Sequence, residues 1–454
     1  GGVGLVFLAN ILPALVVKTS APYWFEKVAY QTRLTAATIL MILSFGIVAG
    51  SGHLEWQLFG VACTSAQGSL GEASLLALAG KIDGELCDLL ASSQKQKGPC
   101  LNGFSSGTGF AGVFGFFWVW IFNSQLQLSL SITLWLAMIL AGGYLYSYTI
   151  ITHLSLEKEG IRQLAESQQT TTSGYSDNNN ENENENDNND DTNDISYRDD
   201  DDDDDDDELN GEYGTHEPPE TFHDEHGTAV VGMQHHSINA KTESESFVPE
   251  IASLSNQQRL QLVLSLWPYT IPLFTVYVSE YTLQSGTWTA IGFPVSNQES
   301  RDTFYEYSNW MYQVGVFISR SSGVWGVAPI TLLWIMPILQ CLNVIIYWSI
   351  GASQTTDTTT TTTTIGQDLW HSPYFLYPTA LYSGLLGGAV YIHGYLRICR
   401  DLPLKHREFA LSATSMAECL GIVVADLFGL LIQACLYQIH NLEGAALSCP
   451  TTKS

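Results

Sequence analysis

Basic residues are scarce in this 454-residue chain: 18 Lys and Arg stand against 46 Asp and Glu, a formal net charge of −28. No basic patch lies outside short stretches between apolar segments, which excludes a nucleic-acid partner. The eight cysteines (63, 87, 100, 341, 399, 419, 435 and 449) contain no Cys-x-x-Cys pair, so neither a zinc site nor a disulfide framework is indicated. Cys63, Cys419 and Cys435 lie inside apolar segments and read most simply as small core residues. With no phosphate loop and no metal-ligand set, the chain reads as a non-enzyme that needs no metal or cofactor. No Asn-x-Ser/Thr sequon occurs, and the ending CPTTKS is not a prenylation box. The chain opens GGVGLVFLAN, without Met and already apolar, with neither a charged n-region nor a small-residue cleavage site. Residues are expected to be missing upstream.

What is present is apolar sequence in long runs, at about 5–19, 34–50, 56–80, 104–122, 128–151, 260–280, 303–320, 326–350, 370–396 and 409–436. A helix needs about 20 apolar residues to cross the hydrocarbon core. The reading is an all-α polytopic membrane protein with about ten transmembrane helices, five on each side of a long polar stretch. Residues 156–258 hold 29 of the acids and only 4 of the bases, so the remainder carries a net charge of only −3. The organisation expected is a helical bundle over 1–155, a disordered acidic loop over 156–258, a second bundle over 259–437 and a short tail over 438–454.

The loop contains NNNENENENDNNDD at 178–191 and nine consecutive Asp at 199–207, too polar to offset chain entropy by burial. His216, His223, His226, His235 and His236 in it are either incidental or weak metal holders. A Thr-rich insert, TTDTTTTTTT, follows at 355–364, and Glu85 to Leu90 fit an acidic dileucine sorting pattern. Scoring alternate connections for Lys and Arg places 16 on the side that includes Lys18, Arg33, the long loop and Arg320, and 2, Arg301 and Lys453, on the other. The richer side is expected to be cytoplasmic, with both visible termini facing the lumen or exterior.

Charged side chains inside membrane segments are costly and usually face a cavity or a partner. Glu72 sits mid-segment in GSLGEASLLALAG, Glu280 in VYVSEYTLQSG, and Arg320 in GVFISRSS. Glu418 and Asp426, eight apart, lie near one helical face. These groups read either as a substrate or proton pathway or as interhelical ion pairs and interfacial charges. Ser105, Ser106, Gly107, Thr108 and Gly109 read as a tight helix contact, or else as an unwound helix start offering amides to an anion. Pro13, Pro268, Pro272, Pro329, Pro337 and Pro378 are candidate kinks.

Eight stretches, in order, are similar to the battenin family of lysosomal and vacuolar membrane proteins: ANILPALVVK (9–18), SLGEASLLALA (69–79), FSSGTGFAGVFG (104–115), VYVSEY (276–281), MYQVGVFISRSS (311–322), LQCLNV (339–344), LLGGAVY (385–391) and HREFALSAT (406–414). The loops 156–258 and 352–369 match nothing. The resemblance implies a major-facilitator-like two-bundle fold with eleven transmembrane helices in the full-length protein, the first being absent here. It also implies a link to lysosomal or vacuolar pH, basic amino acids and glycerophosphodiesters. Asn10 departs from an Asp frequent in the family, Glu418 replaces an Asp, and His393 stands where Asn is usual.

The expectation is therefore a lysosomal or vacuolar transporter of small polar metabolites, glycerophosphodiesters favoured, working by alternating access. Its partners would be the lipid bilayer, the metabolite and protons. The rival readings are a non-transporting scaffold that recruits trafficking or pH-regulating proteins through 156–258, and a ten-helix drug/metabolite or nucleoside-type carrier.

Overall fold

A computed structural model describes residues 2–89, 98–151, 255–353 and 372–450. The acidic loop up to Leu254, its histidine cluster, the Thr-rich insert and the side chains of the dileucine pattern lie outside the described residues. Among those described, every regular element is helical. The helices are α1 (Gly2–Trp24), α2 (Tyr30–Gly50), α3 (Leu54–Leu89), α4 (Pro99–Gln125), α5 (Leu130–Ile151), α6 (Asn256–Ser265), α7 (Trp267–Ala290), α8 (Gln298–Arg320), α9 (Ile330–Ser353), α10 (Pro373–Asp401) and α11 (Leu404–Ile439). Each of the ten apolar runs falls in one of them, and α6 and α7 share a run.

Lipid offers no hydrogen-bond partner for exposed backbone, so a spanning segment has to close its own bonds as a helix. Six of these helices are long and apolar enough to cross a membrane, and the bent pair α6–α7 makes a seventh span. The all-α polytopic reading therefore holds. Of the rest, α1 and α8 have 23 residues each and α3 has 36, all sufficient in length. Both α3 and α8 carry the charges that reappear below. At 36 residues, α3 and α11 would be about 54 Å long, well beyond a hydrocarbon core of about 30 Å.

The 63° bend between α6 and α7 has a local cause. Pro268 lacks the N–H that would bond the Leu264 carbonyl, and its ring crowds that carbonyl. Ser255 caps α6 reciprocally with Gln258, so the described chain resumes after the loop at a well-formed capping box. Pro272, Pro337 and Pro378, by contrast, sit inside helices that continue through them. At its far end α7 widens into a π-helical turn over Leu283–Thr287.

Small residues set the tightest helix crossings. A Cβ on Gly384 of α10 would lie 2.1 Å from the Tyr312 carbonyl oxygen of α8, and one on Gly315 of α8 would lie 2.2 Å from the Leu381 carbonyl oxygen of α10. Gly286 and Gly429 bring α7 and α11 together in the same way. Around these contacts Leu273, Val276, Leu333, Val390, Ile392 and Leu411 are buried in one apolar core.

The C-terminal tail folds back on α11. Asn441 (φ 52°) and Gly444 (φ 99°) make the reversal in the left-handed region, which Asn and Gly tolerate best. His440 donates from Nε2 to the Gly351 carbonyl at 2.6 Å, and Cys435 is joined to Cys449 by a disulfide. The reading that the cysteines indicate no disulfide framework, with Cys435 as a plain core residue, is corrected at this pair. Nothing in a spacing of 14 announces the pair; a helix end and a chain reversal bring it together.

Two outcomes follow from this packing. Gly384→Leu should abolish the monodisperse folded peak in fluorescence-detected size-exclusion chromatography, because the opposing atom is backbone and cannot move aside. Gly107→Leu, where a Cβ meets nothing within 4 Å, should leave the peak intact. Reduction, or Cys449→Ser, should lower stability by about 3 kcal/mol from lost loop constraint; an unchanged melting curve in detergent would count against the bridge.

Candidate functional site

The site begins at Pro13 of α1, which has no N–H to give to its own turn. The Ala14 N–H donates to Ser65 Oγ of α3 at 3.1 Å, and Ser65 Oγ donates to the Asn10 carbonyl. A serine of α3 thus bridges the backbone of α1 across one turn. One turn beyond Ala14, on the same face, comes Lys18, and two turns beyond Ser65 comes Glu72.

Lys18 Nζ lies 2.9 Å from Glu72 Oε2 and 3.4 Å from Glu418 Oε2 of α11. Both carboxylates are held again from α10: Tyr391 donates to Glu72 Oε1 at 3.0 Å, and Tyr395 donates to Glu418 Oε1. Tyr391 and Tyr395 are four apart and therefore share a face. The side chains of Lys18 and Glu418 are 4 % exposed while that of Glu72 keeps 25 %, so the cluster is reached through Glu72.

Arg320, the last residue of α8, closes the other side. Its guanidinium carbon lies 3.8 Å from the centre of the Tyr391 ring. Nη1 donates to Thr108 Oγ1 of α4 at 2.7 Å and Nη2 donates to the Tyr277 hydroxyl of α7 at 3.1 Å, while Nε has no hydrogen-bond partner. Thr108 is free to accept because its own hydroxyl proton goes to the Ser105 carbonyl at 2.8 Å. The arginine stem runs between two glycines: a Cβ on Gly109 would lie 3.3 Å from Arg320 Cβ, and one on Gly388 would lie 3.2 Å from its Cγ. Glu72 lies within electrostatic reach of both Lys18 and Arg320.

Glu280 of α7 is buried beside this cluster. It faces Tyr312 of α8 within hydrogen-bonding reach and feels Arg320 and Glu418, but its Oε2 has no hydrogen-bond partner. A Cβ on Gly387 would sit 1.8 Å from that oxygen, so only glycine there admits the carboxyl. Tyr281, the next residue, lies within electrostatic reach of Glu280, Arg320, Glu72 and Asp426.

Glu72, Glu280, Arg320 and Glu418 therefore lie in one cluster. Asp426 is two turns along α11 from Glu418, partly buried, with Oδ1 unbonded. The 105–109 stretch divides. Thr108 touches Arg320 and Gly109 permits the α4–α8 contact. Ser105 is buried with its Oγ unpartnered, Ser106 is partly buried, and Gly107 is exposed. All five lie well inside α4, which starts at Pro99, so the unwound-start alternative does not hold. Residues 103–107 also spell G-x-S-x-G, but they sit in continuous helix and not on the strand-to-helix elbow that this motif serves.

Lys18 is the main correction. Scored in sequence as a cytoplasmic loop charge, it is an internal residue of α1, and Arg320, though the last residue of α8, packs against Tyr391, Thr108 and Tyr277. Arg33 is buried too, between the rings of Phe25 (4.4 Å) and Tyr30 (4.0 Å), with Glu408 at 3.6 Å. On the other side Arg301 is buried and donates to the Val295 carbonyl at 2.5 Å. The signals for the missed groups were present: uncharged sequence continues past Lys18 to Trp24, and Tyr277/Tyr281 and Tyr391/Tyr395 repeat the four-residue spacing.

Removing Lys18 leaves two carboxylates facing one another in the bundle. Breaking a buried pair on one side costs about 3–5 kcal/mol, so Lys18→Met should lower the melting temperature in detergent sharply. Adding Glu72→Gln and Glu418→Gln should recover most of the loss; a triple variant as unstable as the single one would mean the pairing is not the cause.

The arrangement has relatives. The profile described as CLN3 protein matches residues 2–439. Protein BTN1 of Eremothecium gossypii is 29 % identical over 96 % of this chain and 88 % of its own length. Battenin of Canis lupus familiaris is 26 % identical over 94 % of this chain and 75 % of its own. Protein BTN1 of Saccharomyces cerevisiae is 24 % identical over 96 % and 88 % respectively. With a family match running from the first turn of α1 to the last of α11, the chain belongs to the CLN3, or battenin, family of lysosomal and vacuolar membrane proteins.

Proposed function

We propose that this protein is a transporter of small polar metabolites across the lysosomal or vacuolar membrane. It would work by alternating access between an N-terminal bundle (α1–α5) and a C-terminal bundle (α6–α11) of major-facilitator type, with glycerophosphodiesters as the favoured substrates. The observation that carries this reading is the charged cluster itself. Lys18 and Glu72 come from before the acidic loop and Glu280, Arg320 and Glu418 from after it, and they meet inside an apolar bundle. Ionisable groups in that setting are costly and mark substrate or ion pathways by default, and a site shared by two halves is where rocking of one against the other would open it to either side.

Arg320 suits the anionic end of such a substrate. Its planar guanidinium presents a fork of donors that matches phosphate or carboxylate, and Nε remains available. The tyrosine hydroxyls of α7 and α10 would supply neutral contacts to the polar remainder.

For orientation we favour a cytoplasmic central loop. After Lys18 and Arg320 are removed from the count, 14 basic residues stand on that side against 2 on the other. The Cys435–Cys449 disulfide lies on the opposite side in this topology, where an oxidising lumen would preserve it.

The test is flux. The full-length protein reconstituted in proteoliposomes should move a radiolabelled glycerophosphodiester down a pH gradient, and Arg320→Ala should cut the rate at least a hundredfold, with Arg320→Lys recovering part of it. Undiminished flux through Arg320→Ala would remove Arg320 from the pathway; no flux by wild type would remove the transporter reading.

A further inference from the structure

Lys18 raises a question of occupancy. Arg320 keeps Nε unbonded, but Lys18 is held by two carboxylates at 2.9 and 3.4 Å. An anion arriving beside it meets those carboxylates first. Either the amine never touches substrate, or one carboxylate gives way.

The geometry distinguishes the two carboxylates. Glu418 is buried and bonded by Tyr395. Glu72 is the partly exposed one, bonded by Tyr391, and it is the group within reach of both Lys18 and Arg320. Withdrawing the Glu72 charge would leave two cations, from α1 and α8, facing the position it had occupied.

We propose that Lys18 is a second anion-recognition group of the transport site, masked by Glu72, and that a substrate monoanion takes the place of Glu72 on Lys18 as the Glu72 carboxylate takes up one proton. This rests on the transport reading above. The proton comes from the aqueous compartment and binds a carboxylate oxygen; no other bond forms or breaks. One negative charge leaves the cluster and one enters, so its net charge is unchanged, which is the condition for avoiding an uncompensated charge in a low-dielectric site. Glu418 stays as the resident partner of Lys18.

The other groups around the exchange are accounted for. Lys18 faces Glu72 on α3, Glu418 and Cys419 on α11, and Tyr391 on α10. Glu72 faces Lys18, Arg320 and Tyr391. Glu418 further faces Tyr395, and Tyr277, Glu280 and Tyr281 of α7 border Arg320. Among these, Glu72 alone combines exposure with contact to Lys18 and electrostatic reach of Arg320.

The experiment measures equilibrium binding of radiolabelled glycerophosphoglycerol, a phosphodiester monoanion, to the full-length protein in nanodiscs at pH 5 and pH 7.5, with flux and proton uptake followed in proteoliposomes. Wild type should bind at least tenfold more tightly at pH 5. Glu72→Gln should bind at pH 7.5 as tightly as wild type does at pH 5, with the pH dependence gone. Lys18→Met should weaken binding at least tenfold and Lys18→Arg should restore it to within threefold. Should Lys18→Met fail to fold, Lys18→Met/Glu418→Gln removes one of the two facing carboxylates, leaves Glu72 within electrostatic reach of Arg320, and should show the same tenfold loss. About one proton should enter per monoanion.

Binding by Lys18→Met or the double variant equal to wild type, or an unaltered pH dependence in Glu72→Gln, overturns the proposal while leaving transport standing. Binding that follows the variants as described, with no flux by wild type, upholds Lys18 as an anion group and removes transport. No binding by wild type at either pH overturns both.

Discussion

Placing an ammonium between two carboxylates inside an apolar bundle is favourable only when the charges meet at hydrogen-bonding distance and their remaining lone pairs are also satisfied. Lys18, Glu72 and Glu418 meet that condition with the help of two tyrosines from a fourth helix. The condition reaches far into the structure. It fixes α1 against α3 and α11, it calls for the Ser65 bridge that shapes α1 one turn away, and it sets α10 so that Tyr391 and Tyr395 face inward. Arg320 extends the same logic to α4 and α7 through Thr108 and Tyr277. Seven helices are thereby tied to one polar centre, while the rest of their surfaces pack by apolar contact or face lipid.

The glycines belong to the same account. Gly109 and Gly388 flank the Arg320 stem, Gly387 makes room for the Glu280 carboxyl, and Gly315 and Gly384 let α8 and α10 run close enough for these groups to converge. Where a glycine meets nothing, as at Gly103 and Gly107, it contributes no such contact. Helices joined by smooth, small-residue contacts around a charged centre can pivot without unpacking a jigsaw of large side chains, and alternating access would use that property.

Much of the architecture was legible before any coordinates. Apolar runs of spanning length are a local property, and in lipid such a run has one backbone solution, so ten runs became helices with ends moved by a few residues. The broken sixth span needed attention to Pro268. The site was legible in part. Glu72, Glu280, Arg320 and Glu418 stood out because charge inside apolar sequence is conspicuous, whereas Lys18 was hidden by its place near the end of a run, where a basic residue ordinarily marks the cytoplasmic boundary. The tyrosines were hidden because an aromatic in a membrane segment is unremarkable until its hydroxyl finds a partner.

The sequence by itself determined that this is a helical membrane protein of the battenin kind, where its spans run, and which carboxylates and which arginine are out of place in lipid. Composition and run length decide the spans and the misplaced charges, each set by neighbours along the chain, and the eight ordered stretches carry the family resemblance. Only the tertiary structure decided that Lys18 is the cation those carboxylates share, 54 residues from one and 400 from the other, and that Cys435 has a covalent partner. Pairing of charges and thiols depends on distance and orientation in space, and one-dimensional spacing carries that information only within a few turns of a helix.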